Sequence, residues 1–390
     1  MVFWIFSVPT FVCSRVGPDG RTRVICFGDV IDQSGSFNSF TIIEVDPAIN
    51  PTFVPCRPDY LGGVEKAWRN LRIYMPRTYE RLVGGFDVIM TSDLDLTVFK
   101  ADWVDWLARS VREAGLGHLW LGNIFTSSQD NWEGTVLADV APVTPVLKFY
   151  IEGAFRLRVE DASEELMQSL PWEGSPPITH FHAWAPKQGS RVWASLSHQD
   201  RYPLMTYWKT EEGAVLCFSG KFPGGVRTWA RDWQFFPQAM MYMTYRVAGK
   251  ALPSDPYLFA QLTTGFIEFN EMNSLLQSLL DWVEKAGGSP RKLYARLETL
   301  RQIKEMADDH YLGGDLELAL AALRDAKPEQ ESLREAALRA KDAALFWTYM
   351  IEWFSLLGAL LASSLVTWSL MIQRRLYREV SVSRLPHGAE

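Results

Sequence analysis

The sequence predicts an α/β protein that continues into a helical stalk and one transmembrane helix. Three observations predict it. From about residue 22, short apolar runs alternate with segments of helical spacing. Such alternation builds a parallel sheet covered on both faces. From Phe149 to Gly220 the pattern turns antiparallel, with strand-like runs that follow one another directly. After Pro253 every segment has helical spacing, and the last contains Trp353 to Ile372, WFSLLGALLASSLVTWSLMI, with no charged residue.

The elements follow in chain order. Val2 to Cys13 is a short apolar run with no basic residue before it, which leaves a signal segment and a first strand both open. Arg23 to Ile31 reads as a strand ending at the turn-rich Asp32, Gly35 and Ser36, and Phe40 to Val45 as a second. Val64, Trp68, Leu71 and Tyr74 share a helical face. Phe86 to Met90 is a short buried strand after Gly84 and Gly85. Asp102 to Ala114 is an amphipathic helix with Asp102 as its N-cap and Gly115 as its stop. His118 to Leu121 follows as a strand. Ile178 to Trp184 and Arg191 to Leu196 alternate, and KTEEG joins Leu204–Trp208 to Ala214–Ser219 as a hairpin. The turn Gly220 to Gly225 leads to a helix over Trp233–Val247. Tyr257–Lys285, Pro290–His310, Asp315–Ala326 and a run from Glu329 into the apolar segment are helical, with Gly287–Pro290 and Lys327-Pro328 as turns. Residues 307–326 have the pattern of one tetratricopeptide-like hairpin, which one unit alone makes part of a stalk rather than a solenoid.

At 1.5 Å per residue, Trp353–Ile372 forms a helix of roughly 30 Å, the thickness of a bilayer's hydrocarbon core. Trp347, Tyr349, Trp353, Trp368 and Tyr377 flank it as interfacial aromatics, and Glu352 is a boundary residue. Arg374, Arg375, Arg378 and Arg384 follow, which favours a cytoplasmic C-terminus and an extracytoplasmic domain at the cell membrane. Gly358 and Ala362 form a small-xxx-small pair through which two such helices can dimerise. The organisation is therefore 1–21, an apolar N-terminal segment; 22–252, the α/β domain; 253–342, the stalk; 343–373, the transmembrane region; and 374–390, a basic tail.

The formal charge of −7 and pI near 5.5 argue against a nucleic-acid partner. Cys13, Cys26, Cys56 and Cys217 are widely spaced, without a CxxC, so they indicate neither a zinc site nor a disulfide scaffold. The sixteen tryptophans point to an aromatic core more than to an aromatic-lined groove.

Several segments in order resemble the glutamine amidotransferase-like family, relatives of the class I amidotransferases. They are GDVIDQSGSF and IEVDP, VPCRP, MPRTYERLVGGFDVIMTSD, DNWEGT with APVTP, YPLMTYWKTEEGAVLCFSG and GGVRTWARDWQFFPQ, spanning roughly residues 22 to 250. The stalk and membrane helix are similar to the C-termini of membrane-bound archaeal proteins that carry this domain. The resemblance implies a flavodoxin-like sandwich and does not by itself establish activity. An active class I enzyme needs a cysteine on a sharp strand-to-helix turn, with a histidine as base. The corresponding turn follows His118–Leu121 and reads Gly122-Asn123-Ile124-Phe125-Thr126-Ser127-Ser128, without a cysteine. Thr126 or Ser127 would need a stronger base than any the sequence positions.

Asp93 and Asp95 follow a strand at the edge where ligands gather in open α/β sheets, although capping the next segment is the plainer role. Asn123 and Trp132 lie in and after the elbow. Arg231 and Asp232, between Trp229 and Trp233, line a cleft or form a structural pair sandwiched by the tryptophans. His180 and His182 share one face of a strand, where a metal can bridge them, but no third ligand is identifiable, and packed or surface histidines are the plainer reading. No cofactor is expected. The reading is a membrane-anchored, non-catalytic module that binds a ligand or another envelope protein. Alternatives are a hydrolase or metal-dependent enzyme using Asp93, Asp95 and the histidine pair, and a structural subunit of a membrane assembly.

Overall fold

The structure, a computed structural model, describes residues 17–28, 41–92, 94–122, 132, 134–221 and 226–382. The described residues form two compact units. The first runs to Glu268 and includes Glu305–Arg324; the second is Phe269–Lys304 with the chain from Asp325 onward. The sequence placed the corresponding boundary at 252/253.

In the first unit, β1 (Thr22–Gly28), β2 (Ile49–Pro55), β3 (Val88–Ser92), β4 (Gly117–Leu121) and β10 (Ala214–Phe218) run parallel, and β6 (Leu157–Val159), β8 (Arg191–Leu196) and β9 (Pro203–Lys209) extend the sheet antiparallel. The eight strands lie in the order β2-β1-β3-β4-β10-β9-β8-β6. β1, β3, β4 and β10 are apolar runs buried on both faces, as central parallel strands require. A second, two-stranded sheet pairs β5 (Val143–Phe155) with β7 (Ile178–Pro186).

The helices of this unit cover the sheet. α1 (Pro58–Leu61), α2 (Val64–Tyr74) and α3 (Tyr79–Gly85) lie between β2 and β3, and α4 (Ala101–Arg112) and α5 (Val136–Val140) flank β4 in sequence. α6 (Glu165–Ser169), α7 (Arg227–Asp232) and α8 (Phe236–Val247) complete the set. α2 buries Ala67 and Leu71, four residues apart on one face. α4 buries Val104, Leu107, Ala108 and Val111 on its own stripe. Three longer helices follow: α9 (Pro256–Lys285), α10 (Arg291–Leu312) and α11 (Leu316–Val382). Tyr311 of α10 belongs to the first unit, where its hydroxyl is 3.1 Å from that of Tyr245, which in turn donates to the buried Asp46 carboxylate.

Four expectations are corrected. Phe40–Val45 is not a strand, because Thr41–Val45 is a 3-10 helix and Phe40 lies outside the described residues. The second strand is Ile49–Pro55, whose two prolines mask it; an edge strand tolerates them because one side of its ladder is unpaired. Asp102 is not the N-cap: the helix begins at Ala101 after Lys100, and Asp102 lies in its first turn, where a negative charge suits the helix dipole. Lys327-Pro328 is not a turn, since Pro328 lies inside α11. Ala326, Leu333 and Ala337 are fully buried around it, and that packing outweighs the one backbone bond proline removes.

Candidate functional site

Ligands of open α/β sheets collect beyond the carboxyl ends of the strands, where the strand order reverses. In this sheet that point lies between β1 and β3, the neighbours from which the order runs outward to β2 and to β4. Their ends meet closely. Gly28 has φ +120°, and a Cβ there would lie 1.6 Å from the Ser92 carbonyl oxygen, so only glycine fits. Ser92 Oγ is buried with no hydrogen-bond partner among the described residues. Cys56 follows β2, and its N–H donates to the Gly28 carbonyl at 3.3 Å. Burial pushes the Cys56 thiol up to about 12, with the Asp95 charge adding to the effect. Asp95 accepts from the Thr97 N–H at 3.0 Å and the Thr97 hydroxyl at 2.6 Å, so it caps the short 3-10 helix Leu96–Val98.

The other half of the edge is built where β7 meets β4 and β10. The Gly122 N–H donates to the Phe218 carbonyl at 2.7 Å, and the His182 N–H donates to the Ser219 carbonyl at 2.9 Å. A Cβ on Gly122 would lie 3.1 Å from His182 Cδ2 and 3.0 Å from Trp184 Cη2. The fold thus brings His182 beside the residue that opens the elbow segment, although sixty residues separate them in sequence. His182 is buried and stacked on Trp184, with centroids 5.9 Å apart. Burial, reinforced by the Lys221 charge, pushes its imidazole down to about 3, so it is neutral at physiological pH and weakly basic.

Lys221 lies over the Tyr150 ring at 4.1 Å, and its N–H donates to the His180 carbonyl at 2.9 Å. Its ammonium pKa is lowered by burial first and then by the Arg57 charge, while Glu152 opposes both. Two cations from the ends of β2 and β10 therefore act on one another at this edge. The sequence reading missed Arg57, Tyr150 and Lys221. Arg57 stands between Cys56 and Pro58, and Lys221 opens a glycine-rich turn, so their places after strand ends were the available signal.

The remaining predicted residues divide. Asp93 and Asn123 lie outside the described residues, as do Thr126 and Ser127. Trp132 is a core residue, 4.9 Å from Trp120 and nearly fully buried, and does not line a cleft. Arg231 and Asp232 form an ion pair at 2.6 Å on the surface, while Trp229 and Trp233 turn inward and pack on each other at 4.8 Å; the pair is not sandwiched. His180 is half-buried, bonded to Thr179 Oγ1 at 2.9 Å and 3.5 Å from Glu152. Among the described residues no group of three His, Cys, Asp or Glu side chains is placed to hold a metal ion.

No family model matches the chain, and no curated protein matches it. Solved structures match part of the chain, each at a TM-score below 0.5. A cytoplasmic protein of Salmonella typhimurium LT2 is 19% identical at a TM-score of 0.47, covering 58% of this chain and 99% of that one. A second cytoplasmic protein from Salmonella typhimurium is 15% identical at 0.47, covering 57% and 98%. A ThuA-like protein from Bacteroides uniformis is 12% identical at 0.36, covering 61% and 96%.

Proposed function

We propose that this chain is a single-pass membrane protein whose flavodoxin-like, class I glutamine amidotransferase-like domain is a non-catalytic module, binding a ligand or a partner protein at the cell envelope. The observation that carries the reading is the uncharged run Trp353–Ile372, whose side chains lie exposed along α11. Among the described residues α11 is the one helix long and apolar enough to cross a membrane. Arg374 and Arg375 after the run favour a cytoplasmic C-terminus, and Gly358 with Ala362 offers the face for a homodimer.

The parallel order β2-β1-β3-β4-β10 has the 2-1-3-4-5 pattern of flavodoxin-like sheets, which supports the finer fold reading. The absence of a thiol nucleophile is supported by the chemistry of the described cysteines. Cys26, Cys56 and Cys217 are all buried, and burial pushes each thiol up, away from the reactive thiolate. His182 beside Gly122 is too weakly basic to activate a hydroxyl.

A membrane-impermeant thiol reagent on intact cells tests the topology. In a background without the four native cysteines, Glu212→Cys should label and a cysteine placed after Arg384 should not. Labelling only at the C-terminal position would put the domain in the cytosol. Glutamine hydrolysis by the purified chain, lost on Thr126→Ala or Ser127→Ala, would overturn the non-catalytic reading.

A further inference from the structure

α2 and the residue before α4 present four cations, Lys66, Arg69, Arg72 and Lys100, that form no ion pair with a carboxylate among the described residues. Arg72 Nε reaches only the Trp68 carbonyl of its own helix, at 3.3 Å, and Lys100 Nζ lies 5.0 Å from the centre of the Trp103 ring. In a chain with a formal charge of −7, this is a local surplus of the opposite sign.

Between Trp68 and Trp103 lies a groove of about 320 Å³, floored by Val98 and Phe99, with Arg72 and Lys100 at its rim. Trp68 is 45% exposed, although the same helix buries Ala67 and Leu71 completely. A second depression shares Trp68 and Arg72 and adds Glu65, Arg69 and Ile73. A solvated helix face pairs its cations with carboxylates three or four residues away; α2 offers one, Glu65 four residues before Arg69, and it has none at that spacing from Lys66 or Arg72. An aromatic contact that served only as core would be covered.

We propose that this groove binds a small organic anion: a planar, apolar body held between Trp68 and Trp103, with a carboxylate, phosphate or sulfonate bound by Arg72 and Lys100. The volume lies within the range of small-molecule sites. Indole faces take planar apolar groups, and a guanidinium with an ammonium gives charge-assisted bonds to an anion. A neutral sugar would leave the cations unused. The site is distinct from the sheet edge described above, because none of Trp68, Arg72, Lys100 and Trp103 belongs to that edge, and it goes beyond the proposed binding role by naming a ligand class.

The test uses the purified full-length chain in non-ionic detergent, labelled with 5-fluorotryptophan, with 1-naphthyl phosphate as the probe. Trp68→Phe and Trp103→Phe assign the two resonances. We expect naphthyl phosphate to shift both lines saturably, 1-naphthol to bind about tenfold or more weakly, and Arg72→Gln/Lys100→Gln to weaken the phosphate by a similar factor. The remaining tryptophan lines report whether the double variant keeps its fold. Unmoved Trp68 and Trp103 lines, equal binding of naphthol, or undiminished binding by the folded double variant would each overturn the proposal.

Discussion

Tryptophan occupies two opposite surroundings in this chain. Trp120, Trp132, Trp172, Trp184, Trp193 and Trp229 are at most 2% exposed, whereas Trp347, Trp353 and Trp368 are at least 63% exposed. Residue type does not separate the two groups; the length of the apolar run does. The buried tryptophans stand in or beside short strands and helix turns that charged or turn residues interrupt. The exposed ones stand in or beside twenty consecutive uncharged residues of one helix. Apolar surface left in water forfeits about 25 cal/mol per Å², so a helix apolar all round is stable only against an apolar solvent. The first region packs on itself, and the proposed membrane anchoring would give the second its apolar surroundings.

The largest expected effect lies in the first region and involves no side chain. Gly28→Ala places a methyl 1.6 Å from the Ser92 carbonyl oxygen and at a positive φ, and neither strand end can retreat without breaking the β1–β3 ladder. The variant should lack a cooperative unfolding transition, or lose about 4 kcal/mol or more. Near-native stability would mean that the two strand ends are not in contact.

The next pair sets the two regions directly against each other. Trp193 is fully buried, stacked on Tyr207 at 4.4 Å, and Trp193→Ala should cost about 3–5 kcal/mol in denaturant unfolding. Trp368→Ala removes the same atoms from an exposed position and should leave that transition unchanged. Equal costs would mean that the apolar run packs on protein.

Acid should distinguish the regions as well. His118 and His182 are both pushed from 6.5 to about 3 by burial, so between those values the folded chain binds fewer protons than the unfolded one. Their contribution is complete above pH 6.5 and is lost as pH falls toward 3, at up to about 1.4 kcal/mol per pH unit for each histidine. Asp46 has the opposite sign: its carboxyl is raised, first by burial, so its contribution is present at low pH and declines as pH rises above 3.8. His118→Gln can keep the contact with Thr91 Oγ1 at 3.0 Å and should flatten the acid slope by one proton. The run Trp353–Ile372 has no titratable group, so its retention in membranes should not change over the same range.

The sequence revealed those parts of the fold where local pattern and packing agree. α2 matches its expected bounds, as does β8, and β3, β4, β9 and β10 lie within two residues of theirs. β5 escaped because its register is irregular and Val146, Leu147 and Phe149 are exposed, which erases the alternation that marks a half-buried strand. The sheet edge was legible only in part. Asp95 could be placed from the strand before it, but Arg57, Tyr150, His182 and Lys221 converge from four separate segments, and only the fold brings them together. The aromatic sandwich expected for Arg231 and Asp232 failed for a related reason: residues spread over the five positions from Trp229 to Trp233 cannot all face one side of a helical turn, so the tryptophans took the core and the ion pair took the surface.

The smallest expected effect concerns the hydroxyls within the apolar run. Ser363 Oγ donates to the Ala359 carbonyl, Ser364 Oγ to Leu360 and Thr367 Oγ1 to Ser363, each at 2.8 Å. Thr244 and Thr263 make the same bond to the residue four positions back inside the first unit, again at 2.8 Å. In both surroundings the helix satisfies its own hydroxyl, so no bond to water or to a neighbour is needed. Ser363→Ala should therefore change neither membrane retention nor self-association. A hydrogen bond across two helices averages about 0.6 kcal/mol in a bilayer, and a loss of that size on Ser363→Ala would show that the hydroxyl turns to a second copy. Gly358→Leu is the sharper companion. Apart from the adjoining helix backbone, no atom lies within 4 Å of the Cβ it would add, so the single helix accommodates it, and only an association through Gly358 and Ala362 would register the change. Cross-linking that survives Gly358→Leu would remove this face as the dimer contact and leave the exposed run facing lipid alone.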